Sequence, residues 1–279
     1  FTYLYPSQNA PYIQMYDYKT PGNPGQGNLY TNNKVFGIQI GNNANARAND
    51  GSVSGISIGD YSNSRALGIG LGHYAQSEEI GAIAVGSAAK AKGFNSLAMM
   101  RQAYAGEQYA AAIGTAASAQ GKASLAMGHS ALATGEQSIA IGSANPTPKK
   151  DDKGTKYTAY DESTNTQANA ARAVAIGQGA KSNTVDSIAM GTGANVAVGT
   201  NYKGENFTHG IAIGSNALSQ GIQGIAIGNS AAHYRDNGVA LGNNAKTRAM
   251  DGIAIGNNAE SGIQNDPQYK VNNSVAVGN

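Results

Sequence analysis

A four-residue pattern, aliphatic–small–aliphatic–Gly, recurs along the chain and leaves few folds open. It stands at 38–41, 56–59, 69–72, 83–86, 125–128, 139–142, 174–177, 188–191, 211–214, 225–228, 239–242, 253–256 and 275–278. Two copies are imperfect: Leu97-Ala98-Met99 is followed by Met100 in place of Gly, and the copy ending at Gly114 begins with Ala111. Of the 14 steps between successive Gly positions, nine are 14 residues long, a regularity that only a repeat architecture requires.

Each repeat has a second half. Three residues after the Gly comes a small residue, as at Ala75, Ala89, Ala103 and Ala117, and two further on comes another, as at Ser77, Ala91, Ala105 and Ala119. Polar residues such as Lys90, Lys181, Lys246 and Glu260 separate or flank them. Both halves alternate with period two, the signature of short strands with one buried face. A helix does not fit, because so many Gly would each cost it about 1 kcal/mol. Two strands per 14-residue turn, stacked at about 4.8 Å, make a parallel β-solenoid; the spacing does not fix its hand.

Composition agrees with a thin core. The 279 residues include 38 Gly, four Phe and no Trp. Only 13% are charged, against about 25% in ordinary soluble domains. The two aliphatics of each first strand share one face, and we expect them inside. The middle residue then faces out, and it is Ala in 12 of 15 copies, where a solvent-facing column would be polar and varied. This predicts that Ala84, Ala98, Ala126, Ala140, Ala175, Ala189, Ala212, Ala226, Ala240 and Ala254 form a flat face pressed against further copies of the chain. Association is expected because two aliphatics per rung, at roughly 1.5–3 kcal/mol each, fall well short of the ordering of 14 residues at about 1–2 kcal/mol apiece, and backbone hydrogen bonds between rungs leave the margin poor.

Residues 1–36 lack the repeat and hold six of the 15 Tyr and four of the seven Pro. They read as a Tyr/Pro-rich cap on a solenoid that begins at 37 and runs to 279. Tyr12, Tyr16 and Tyr18 in that cap are candidate ligand contacts, since Tyr offers a large contact area at low entropy cost. Insertions interrupt the period near 143–172, 199–209 and 262–273. The first is the largest and carries mixed charge; its Lys149, Lys150, Lys153 and Tyr157 are the other candidate contacts.

Chemistry is sparse. The four His are scattered and Cys is absent, so thiolate metal sites and a disulfide framework are excluded. The chain has no phosphate-binding loop, no nucleophile elbow and no zinc-protease motif. No cofactor, metal site or catalytic residue is expected. A net charge of +2 gives no basis for a nucleic-acid partner. No apolar run approaches the roughly 18 residues of a membrane span, so the chain itself is not expected in a bilayer. With no initiator Met or signal peptide at Phe1, the chain reads as a mature or cut fragment.

Ser138-Ile139-Ala140-Ile141-Gly142 and Asn273-Ser274-Val275-Ala276-Val277-Gly278 resemble the head repeat of YadA-like trimeric autotransporter adhesins, and the resemblance covers about residues 37–279. It implies a left-handed parallel β-roll, a homotrimer, and display at the bacterial cell surface through an outer-membrane anchor C-terminal to this sequence. It implies attachment to matrix proteins such as collagen or fibronectin, to host cells or to abiotic surfaces. Carried over by position, collagen contact would fall on Asn273, Ser274, Val275 and Gly278. Two other readings compete: an ice- or crystal-surface binder, which would want a regular Thr-x-Thr face, and a solenoid carbohydrate-active enzyme, which would want clustered ionisable residues.

Overall fold

The computed structural model describes residues 13–17, 36–46, 55–150, 154, 156–197, 209–262 and 272–278, in two units, Phe1–Ala123 and Ser124–Asn279. In the N-terminal unit the first strands Ile56–Ile58, Ile69–Leu71, Ile83–Val85, Leu97–Met99 and Ala111–Ile113 stack in parallel, copy on copy. The second strands, from Asn63–Ser64 to Ser118–Ala119, build a second parallel sheet. Phe36–Ile40 lies parallel to Ile56–Ile58, and Ile13–Asp17 lies antiparallel on its other side. That reversed strand covers an edge that would otherwise offer free backbone groups.

The C-terminal unit repeats the scheme from Leu125–Met127 to Val275–Val277, with second strands from Leu132–Ala133 to Glu260–Ser261. The insertions do not break the register. Ile139 still lies against Val174, and Ile188 against Ile211. Consecutive rungs are joined by bonds such as Ile225 N–H to Gly238 O, 2.9 Å, and Gly228 N–H to Ile213 O, 2.8 Å.

The faces of the first strand are the reverse of the expectation. Ala84, Ala98, Ala126, Ala140, Ala175, Ala189, Ala212, Ala226, Ala240 and Ala254 are all 0% exposed in the single chain. They point into the coil and are not available to a second copy. The aliphatics on either side of them point outward and are half-buried or exposed. The reason is width. The strands of a 14-residue turn face each other so closely that Ala, Ser and Gly fill the space between, with Ala75, Ala89, Ala103 and Ala117 on the opposite wall also at 0%. An isoleucine does not fit there, so the large side chains go outside.

Where the interior admits something bigger, glycine makes room. A Cβ on Gly210 would lie 2.6 Å from Val196 Cγ1, and one on Gly252 would lie 2.4 Å from Thr247 Oγ1. The repeat Gly answers a different demand: at Gly228 φ is +137° and a Cβ would meet Gly242 O at 2.2 Å. Met100 occupies that corner with φ +88° and is exposed, a conformation that L residues adopt only under external constraint. Interior hydroxyls close the rungs, as Ser77 Oγ donates to Ala82 O at 2.8 Å and Ser219 Oγ to Gly224 O at 3.0 Å.

Candidate interaction surfaces

Outward aliphatics stacked in register make an apolar stripe on each unit. In the C-terminal unit it runs through Ile139 and Ile141, Val174 and Ile176, Ile211 and Ile213, Ile225 and Ile227. Each side chain is flanked along the stack by its counterparts and open on its outer side, where Met127, Met190, Leu241, Ile253 and Ile255 count as exposed. Contiguous apolar surface of this kind marks an interaction site. The sequence carried the signal in its Ile and Val columns, which were assigned to the core.

The largest insertion is a β-ribbon. Asn145–Lys150 pairs antiparallel with Lys156–Asp161, Asn145 facing Asp161 and Lys150 facing Lys156. All six residues of the first strand are exposed, which places Lys149 and Lys150 on open surface. Pro146 and Pro148 have no N–H to donate, so the bonded pairs must be those of Thr147 and Lys149. The prolines therefore lie on the outer edge of their strand and block it against further pairing. On the opposite edge, the backbone groups of Thr158 and Tyr160 face away from the ribbon.

The ribbon's base is tied down. Asn145 N–H donates to Thr164 Oγ1 at 2.7 Å, Asn165 Nδ2 to Ser130 O at 2.9 Å, and Lys181 Nζ to Ser163 O at 3.2 Å. Ser163 donates its hydroxyl and its N–H to Asp161 Oδ1, at 2.6 and 3.0 Å. Those bonds hold the Asp161 carboxyl below the usual carboxylate range. Of the other candidate contacts, Tyr157 falls in the second ribbon strand and Tyr16 in Ile13–Asp17. Tyr12, Tyr18 and Lys153 lie outside the described residues. Lys149, Lys150 and Tyr157 therefore share the ribbon of the C-terminal unit, and Tyr16 belongs to the N-terminal unit.

A third surface was missed. Tyr61 and Tyr74 are exposed and stacked, with ring centroids 4.9 Å apart and planes 6° apart, and His73 packs edge-on to Tyr74 at 4.3 Å. Both tyrosines stand two residues after a repeat Gly, so aligning the rungs would have shown them as neighbours. A polar counterpart exists in the C-terminal unit, where Asn229 donates to Asn243 at 3.0 Å and Asn243 to Asn257 at 2.8 Å. Among the described residues no group of three or more His, Cys, Asp or Glu could hold a metal ion, and no helix is long and apolar enough to cross a membrane.

A stack of two-strand, 14-residue rungs with a small-residue interior and an aliphatic outer stripe defines the chain as a short-rung parallel β-solenoid. Residues 77–99, 119–145, 164–194, 208–231 and 236–259 match the YadA head domain repeat. Over those segments the chain carries YadA-like head repeats. Among solved structures, the crystal structure of the collagen-binding domain of the Yersinia adhesin YadA is similar at 22% identity and a TM-score of 0.39, over 67% of this chain and 80% of that one. A search of curated proteins finds no match.

Proposed function

We propose that this chain is the binding head of a bacterial cell-surface adhesin, working as a homotrimer and without catalysis. The observation that carries the reading is the outward aliphatic stripe. A folded coil that leaves Ile and Val columns open to water gains by covering them, at roughly 0.5–1 kcal/mol for each half-covered side chain. A second copy presents the same columns at the same rung spacing, so copies of the chain are the natural cover, and three is the number that the resemblance to trimeric adhesins implies. Display at the outer membrane belongs to the same reading.

Ligand contact then falls on what an assembly built on the stripe leaves uncovered. The rigidly based ribbon, with Lys149 and Lys150 exposed, is the foremost such feature. Its targets on this reading are matrix proteins such as collagen or fibronectin, host cells or abiotic surfaces.

Two measurements test the proposal. Light scattering on the purified chain should give three times the 28.4 kDa of one chain; a monodisperse monomer at micromolar concentration removes the trimer. Replacing residues 145–161 by a short Gly-Ser turn should leave that mass unchanged and weaken capture on collagen-, fibronectin- or plastic-coated wells by about tenfold, or about 1.4 kcal/mol. Undiminished capture on every surface moves the contact away from the ribbon.

A further inference from the structure

His233 is the one large polar side chain among the fully buried residues of the described structure. It stands in the second strand Ala232–His233, in a column where the neighbouring rungs carry Ser219 and Thr247. Room for the ring comes from two glycines on the facing wall. A Cβ on Gly224 would lie 1.7 Å from His233 Cε1, and one on Gly238 would lie 2.5 Å from His233 Cδ2. The imidazole is poorly satisfied. Nε2 has no hydrogen-bond partner, and Nδ1 has only Ser219 Oγ at 3.5 Å.

The groups that line the ring inside the coil are uncharged. The strands on either side present Ser219 and Thr247, the facing rungs present Ala226 and Ala240 inward, and the turns present Gly224 and Gly238. Lys246, on the strand beside it, faces outward and is half-buried. Asp236, three residues on, is the charged group that acts on the imidazole, and it favours protonation.

We propose that the rung carrying His233 is an acid-sensitive joint in the C-terminal unit, at which proton uptake by the imidazole parts neighbouring rungs while the stacks above and below stay wound. Burial pushes the His233 pKa down from 6.5 to about 4, against the weaker pull of Asp236. In an opened rung the ring regains its ordinary value. The sign follows: closure is fully favoured above about pH 6.5, weakens as the pH falls from there toward 4, and levels off below. At about pH 4.5 the opening equilibrium rises on the order of 80-fold over its neutral value. The consequence is a C-terminal unit that loosens at this rung in mildly acidic surroundings and rewinds on return to neutrality.

The test is hydrogen exchange of the full, assembled chain at about pH 7.5 and about pH 4.5, beside His233→Thr and His233→Ser. Both variants use residues that the same column already accepts at Thr247 and Ser219. Comparing wild type with variant at one pH cancels the intrinsic exchange rate. Peptides covering 218–247 of the wild type should lose protection relative to both variants by tens-fold between the two pH values, while peptides covering 174–190 keep a constant ratio. A ratio in 218–247 that does not change with pH overturns the proposal, and so does uniform loss of protection along the unit. If one variant folds poorly at neutral pH, the other carries the comparison. A directly followed His233 Cε1 proton resonance that titrates near 6.5 in the folded chain also overturns it.

Discussion

We expect Ala226→Glu to unfold the C-terminal unit, and Ile176→Glu combined with Ile227→Glu to leave it folded while dissociating the proposed trimer. Ala226 is 0% exposed between two closely spaced walls. A carboxylate there has neither room nor a partner. Overpacking of that order costs about 1–3 kcal/mol and an unpaired buried charge several kcal/mol more, a sum comparable with the roughly 5–15 kcal/mol that holds a domain together. Ile176 and Ile227 are half-buried on the outer side, so glutamate there reaches water in the isolated chain and would meet its own kind across the proposed contact between copies. Circular dichroism and light scattering on the two proteins decide it. Strand signal retained by Ala226→Glu, with dissociation, would mean that the alanines do form the contact. Trimeric mass in the double isoleucine variant would mean that the stripe is covered by something else.

The fold was legible because its period was. Fourteen residues between glycines, two alternating segments per period and the exclusion of helix led directly to stacked parallel rungs, and the register of Ile139 on Val174 across a long insertion is what an unbroken period demands. The inside and the outside were not legible. Hydropathy puts isoleucine in and leaves alanine free to face out, and for a sheet with an ordinary core that is correct. Here the separation of the walls overrides hydropathy, and that separation follows from the number of residues per turn, not from the character of any one of them. Two clues were present. The opposite wall is also Ala and Ser, as at Ala75 and Ser77, and Gly at 210, 224, 238 and 252 faces the few larger interior residues. An interior made almost wholly of small residues has no depth for Ile225 and Ile227 together on every rung. The ribbon was visible only as a charged insertion, because Pro146 and Pro148 argue against a strand until one strand edge is known to be free.

That matching of large against absent side chains yields the second large effect, in a double-mutant cycle between Gly224 and His233. Gly224→Ala places a Cβ within 1.7 Å of His233 Cε1 and 2.0 Å of Nδ1. Both walls are hydrogen-bonded sheets, so the ring has nowhere to withdraw. We expect a loss of about 3 kcal/mol, the upper range for overpacking. His233→Ser opens a cavity and costs about 1–3 kcal/mol, partly offset by removing the unpartnered Nε2. Together the two changes recreate the relation of Ala173 to Ser182, nine residues apart and both at 0% exposure. Gly224 itself does not have a positive φ, so alanine meets no backbone penalty there. The double variant is therefore expected to be more stable than Gly224→Ala alone, with a coupling of at least about 2 kcal/mol by urea unfolding of the C-terminal unit. Additive losses would show that the glycine is required by its backbone and not by the histidine it faces, and the size-matching account of the interior would fall with them.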